Sequence, residues 1–163
     1  AVRPSSPSRS SGSKTVEPSS VIGDRFVLPE AAVQRSETLS IAIQVPFDRV
    51  WTFLTDPTKL HLWTVDFALA PPEPRGDVFR VQTPRGELDL FVKADQETGV
   101  IDYYFGRDGQ YRCSPSRLVR TGDGVVYIFT QFEPPGVPTG RFETLVANVR
   151  KELEILKSLF EGK

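Results

Sequence analysis

The sequence predicts an α+β domain: a curved antiparallel sheet of about seven strands around a long C-terminal helix, with two short helices after the first strand. Three observations lead there. An alternating strand pattern is followed at once by two helix signals. A long run of short strand candidates comes next, separated by turn residues. One continuous apolar stripe of about six helical turns closes the chain. A lone helix after a long meander is best satisfied by a sheet that wraps it.

Residues 1–20 hold eight serines and three prolines, and no aromatic residue, Leu or Ile. Such a segment cannot bury enough apolar surface to offset its ordering, so it is expected to be a disordered tail. It lacks the apolar stretch of a secretory signal and the amphipathic pattern of a transit peptide. Residues 21–35 form a lead-in, in which Val21, Ile22, Phe26, Val27 and Leu28 can pack as a strand before Pro29 interrupts it. The folded domain is expected over 36–163.

Leu39, Ile41, Ile43 and Val45 alternate with Ser40, Ala42 and Gln44, the pattern of a half-buried strand. Pro46 suits a helix start, and Phe47, Val50, Trp51 and Leu54 then share one helical face. Asp56-Pro57 reads as a cap and first-turn proline, opening a second short helix that ends near Leu62 or Trp63. Strands are expected at 63–69, 76–83, 87–93, 100–105, 110–120 and 125–132. Between them stand the turn signals Pro71-Pro72-Glu73-Pro74, Pro84-Arg85-Gly86, Gly106–Gly109 and Gly122-Asp123-Gly124. Phe142, Leu145, Val146, Val149, Leu153, Leu156 and Phe160 then mark the long helix. Its other face carries Arg150, Glu154, Lys157 and Glu161, spaced to pair with one another.

A turn at Pro84-Arg85 sets Val81 opposite Leu88 and Phe79 opposite Leu90. The next hairpin is expected to pair Val92 with Ile101 and Leu90 with Tyr103. One face then reads Phe79, Val81, Leu88, Leu90, Val92, Ile101, Tyr103, Phe105, and should be concave and buried. Arg80, Gln82, Glu87, Asp89, Lys93, Asp102 and Tyr104 fall on the other, solvated face. Arg112 and Ser114 join Tyr103 on the inner face, where polar groups among apolar ones can orient a ligand. Pro115 suggests an edge position or a bulge. With a bulge Val126 and Ile128 face inward; without one Tyr127 and Phe129 do.

Val50-Trp51, Asp56-Pro57 and Trp63 come early in the domain. Gly122-Asp123-Gly124, Phe132-Glu133-Pro134-Pro135-Gly136 and the helical Glu152-Leu153-Glu154-Ile155-Leu156-Lys157 come late. In this order they resemble START-like helix-grip proteins of the SRPBCC superfamily, most of all bacterial polyketide cyclase/dehydrase and lipid-transport-like members. The resemblance spans 36–163. It implies a seven-stranded antiparallel sheet around a long helix, with an apolar cavity between. It implies ligands such as lipids, sterols, hormones or polyketides. Some members cyclise polyketides and others act as co-chaperones. Trp51 and Trp63 look like core and cavity-mouth residues. No catalytic motif is shared across the superfamily, so none is carried over.

Composition narrows the function. The chain has 163 residues and a net charge of −1, which argues against a nucleic-acid partner. No apolar run is long enough to span a membrane. The single Cys113 excludes an internal disulfide, and the single His61 excludes a His-rich metal site. His61 reads as a partly exposed helix residue, and Cys113 as a small buried hydrophobe. No G-x-S-x-G stretch occurs, and Gly122-x-Gly124 lies between strands, so it is a hairpin turn. No catalytic residue, metal ligand or cofactor is assigned. The expected ligand-binding residues are Trp63, Phe67, Phe79, Leu90, Tyr103, Phe105, Arg112 and Val149. The expected partner is a hydrophobic small molecule (lipid, aromatic or polyketide-like), held by a cytoplasmic carrier or sensor. A polyketide cyclase or dehydratase without metal or nucleotide cofactor is the alternative, with Tyr103 or Arg112 as its acid–base group. A co-chaperone-like interaction module is the other. Oligomeric state stays open.

Overall fold

The computed structural model describes residues 21–22, 25–27 and 33–162. The expected tail, Leu28 and Pro29 lie outside that set. The chain runs β1 (Val21–Ile22), β2 (Arg25–Val27), β3 (Ser36–Ile43), α1 (Phe47–Leu54), a 3-10 helix (Pro57–Leu62), β4 (Glu73–Arg75) and β5 (Val78–Thr83). It continues with β6 (Gly86–Asp95), β7 (Val100–Arg107), β8 (Gln110–Thr121), β9 (Gly124–Phe132) and α2 (Arg141–Glu161). Seven strands pair antiparallel in the order β3-β9-β8-β7-β6-β5-β4. The short β1–β2 hairpin joins β8 through a parallel pairing of β2. No helix among the described residues is long and apolar enough to cross a membrane.

The two short helices follow from local chemistry. Phe47, Val50 and Leu54 bury one face of α1, and Trp51 stacks on Phe47 at 5.6 Å. Asp56 Oδ1 accepts from the Thr58 backbone N–H (3.0 Å) and hydroxyl (2.7 Å), and Pro57 follows. This cap and proline open a helix of six residues, two turns of 3-10 geometry, a form used in short pieces.

Three expectations are corrected. Residues 63–69 form no strand. Asp66 takes a positive φ of 57°, and Thr64 and Val65 spend their polar groups on local and helix contacts, so no ladder can run through them. The seventh strand is instead β4, within the stretch expected to be a turn, and its Pro74 is tolerated because β4 is an edge. The β6–β7 register is also displaced by two residues: Val92 faces Tyr103, Leu90 faces Phe105 and Ala94 faces Ile101. Gly99 at φ 78° must lie inside the turn, where its N–H donates to Asp95 O (2.8 Å). A two-residue slip preserves the inner face. The β5–β6 register is as expected.

The third correction concerns the outer face. Tyr104 is 8% exposed and stacks on Phe91 at 4.8 Å, with Tyr111 edge-on to Phe91 at 5.0 Å. Val27, Val78 and Cys113 complete this second cluster. The β2 strand thus brings an apolar residue to a face that would otherwise be solvated. Around it Arg80 pairs with Glu87 and with Asp89 (3.2 Å).

Across Pro115 the ladder is regular: Asp102 faces Pro115, and Ser116 faces Phe129. There is no bulge, so Tyr127 and Phe129 lie on the inner face. Pro115 sits one residue beyond the last β8–β9 pair, where its missing N–H leaves no gap in a ladder. On α2, Phe142, Val146, Val149, Leu153 and Leu156 are buried. Lys157 pairs with Glu161 (2.9 Å), but Arg150 reaches across to Glu37 on β3 (3.5 Å) instead of to Glu154.

Candidate functional site

A cavity of about 550 Å³ lies between the sheet and α2. Sheet parity supplies its walls: Leu88 and Leu90 from β6, Tyr103 and Phe105 from β7, Arg112 and Ser114 from β8, Phe129 and Gln131 from β9. Leu145, Asn148, Val149 and Glu152 face it from α2. Leu60, Trp63 and Phe67 close one side. A wide sheet cannot be filled by a single helix, and the space left over is this cavity.

Seven of the eight expected residues border it: Trp63, Phe67, Leu90, Tyr103, Phe105, Arg112 and Val149. Phe79 does not. It shares the inner face with Leu90, but β5 lies next to the sheet edge, and only its hairpin end, Thr83, reaches the cavity.

The segment 63–69 is laced across one side. Val65 N–H donates to Glu152 Oε1 (2.7 Å) on α2. Asp66 bridges Arg85 (3.0 Å) on the β5–β6 turn and Arg141 (3.3 Å) at the start of α2. Hydrogen bonds from Arg85, with both guanidiniums alongside, hold the Asp66 carboxyl below its usual range. Phe67 packs edge-on to Phe105 at 6.0 Å. On another side, β8 and β9 part company beyond the Ser116–Phe129 pair, and among the described residues β2 pairs with β8 at Gln110 and Tyr111. Ser114, Arg112 and Gln131 line the cavity at this split.

Sequence reasoning missed the most polar feature inside. Burial pushes the Glu152 carboxyl up to about 7, against the lowering effect of the Val65 N–H. Its signal was present: Glu152 follows Leu145 by seven residues, on the flank of the apolar stripe. Deeper still, Tyr103 donates its hydroxyl to Leu54 O (2.6 Å), and Ser116 donates to Ile101 O (2.6 Å). The nearby Tyr127 hydroxyl is buried; the Ser116 and Tyr103 hydroxyls are close enough to influence it, but neither meets full hydrogen-bond geometry. Burial raises both tyrosines well above their ordinary value. Tyr103 is therefore a neutral hydroxyl committed to holding the end of α1. His61 is likewise committed, with Nδ1 2.9 Å from Thr58 O. Burial raises the Cys113 thiol to about 11 on the outer face, away from the cavity. No cluster of three metal-ligating side chains occurs among the described residues.

No family model and no curated protein sequence matches the chain. Solved structures do. A START superfamily protein from Mycobacterium smegmatis superposes with a TM-score of 0.55 at 14% identity, covering 78% of this chain and 97% of that one. The Aha1 dimer from Colwellia psychrerythraea gives 0.59 at 16% identity, covering 78% and 96%. The di-domain ARO/CYC BexL from the BE-7585A biosynthetic pathway gives 0.58 at 13% identity, covering 76% of this chain and 45% of that one. At such identities the likeness is one of fold.

Proposed function

On the START-like helix-grip fold that these structures share with it, we propose that the chain binds a hydrophobic small molecule between the sheet and α2, as a carrier or sensor. The observation that carries this reading is the cavity itself. Its volume of about 550 Å³ lies within the range of ligand pockets, and Trp63, Phe67, Leu90, Phe105, Phe129 and Val149 give it an apolar wall. The binding role of these side chains is part of the proposal. Organic extraction of the purified protein followed by mass spectrometry should release a lipid, aromatic or polyketide-like compound. Titration with the neutral fluorophore N-phenyl-1-naphthylamine should saturate near one probe per chain. An empty extract together with no probe binding would sink the reading.

One observation favours a second reading, an acid–base enzyme of the cyclase or dehydratase kind. Glu152 borders the cavity with a carboxyl pushed up to about 7, suited to both taking and giving a proton near neutrality. Tyr103, whose hydroxyl is held by Leu54 O, is poorly placed for that work. Turnover of a model polyketide that survives Glu152→Gln would reject Glu152 as its acid–base group.

A further inference from the structure

We infer that the ligand is an amphipathic anion, its apolar body in the cavity and its charged head among the arginines of the mouth, an inference that rests on the binding role proposed above. The cavity is not uniform. Its buried wall is made of residues such as Trp63, Leu90 and Val149, while its exposed border carries charge. Among the described residues of that border, Arg85, Arg107 and Arg141 stand with Asp66 and Asp108, three guanidiniums to two carboxylates. The whole chain carries −1, so a positive mouth does not follow from a basic composition.

The pairing pattern sharpens the point. Asp66 is one carboxylate shared by two guanidiniums, at 3.0 Å from Arg85 and 3.3 Å from Arg141. Arg107 donates to the carbonyl oxygens of Glu87 (2.9 Å) and Arg85 (2.8 Å). Those carbonyls fix its direction without cancelling its charge. A guanidinium held in this way presents its remaining N–H groups in a planar fork, which suits a carboxylate or phosphate head. Arg141 is the first residue of α2, so the positive end of that helix dipole lies at the same mouth. Glu152, the remaining acid of the lining, turns its Oε1 toward the Val65 N–H. A head group at the exposed border keeps part of its hydration, so little desolvation opposes the pairing.

The test compares head groups on one chain length. Displacement of N-phenyl-1-naphthylamine is measured for dodecanoate, dodecyl phosphate, 1-dodecanol and dodecyltrimethylammonium, below their micelle concentrations at about pH 8. At least one anion should bind about tenfold more tightly than the alcohol, with the cation weakest. The anion that does so identifies the head as carboxylate or phosphate. The advantage should shrink in about 1 M sodium chloride. The anion-to-alcohol affinity ratio should fall toward one in Arg107→Gln and, independently, in Arg85→Gln, with circular dichroism confirming that each variant is folded. If neither anion outbinds the alcohol, or the ratio survives in both variants, the inference is overturned while the hydrophobic site stands. If no amphiphile displaces the probe, the binding role itself falls and the inference with it.

Discussion

Two side chains between the sheet and α2, the half-buried Glu152 and the fully buried Tyr127, give predictions at the residue scale. The Glu152 carboxyl sits at about 7 in the folded chain, above its ordinary 4.5. The folded state therefore holds a proton that the unfolded state has lost between those values, and stability falls as pH rises through that window. Glu152→Gln keeps an acceptor for the Val65 N–H and removes the titration. Urea unfolding should show the parent losing on the order of 2 kcal/mol between about pH 5 and pH 8, with the variant nearly flat. Tyr127 is a fully buried hydroxyl without a hydrogen bond of full geometry to a described residue. Removing an unsatisfied polar group costs nothing in lost bonding, so Tyr127→Phe should be neutral or stabilising by about 1 kcal/mol in the same assay. At this scale the sequence was a partial guide. Face parity pointed to Tyr103 and Arg112, and the family resemblance to Trp63, and all three border the cavity. Phe79 was placed by the same rule and missed the cavity, because parity gives a face and not a position along the sheet.

Among the elements, the hairpin turns decided register. The β6–β7 turn ends on Gly99, at φ 78°, where an added Cβ would lie 2.0 Å from Leu118 O. Its carbonyl already accepts from the Leu118 N–H at 2.8 Å, so neither strand can withdraw cheaply. Gly99→Ala should therefore destabilise the fold by about 1–3 kcal/mol through the strained φ and the clash together, read from the urea midpoint. The same glycine explains why a register drawn from hydrophobic alternation alone was two residues out yet kept the correct inner face. The helices were legible for a different reason. The α2 stripe repeats over 21 residues, long enough for period and boundaries to be unambiguous. The segment 63–69 reads equally well as a short strand. It becomes a strap only because Glu152, Arg85 and Arg141 lie within reach of it.

At the scale of the whole molecule, sheet and helix fail to fill the space between them, and that space is the functional candidate. Filling it should remove binding without removing the fold. Val149→Trp places an indole from α2 into the cavity, and N-phenyl-1-naphthylamine affinity should drop at least about tenfold while the helical and sheet signals of circular dichroism persist. Undiminished probe binding would place the site elsewhere. The outer face shows how tertiary structure reassigns surface: Phe91, Tyr104 and Tyr111 cluster there beside Val27 of the lead-in. An alternation rule applied within the sheet counts Tyr104 as solvated, because it cannot see a segment tens of residues away in sequence. The sequence by itself determined the opening strand with its two short helices, the inner face of the strands before Pro115 and the long C-terminal helix. Those follow from local periodicity and from which residue types are present. Only the tertiary structure decided the parity beyond Pro115, the strap at one side of the cavity, the half-buried Glu152 and the cluster of arginines at the mouth. Each of these depends on which distant segments meet, and a one-dimensional pattern records the faces of elements but not the distances between them.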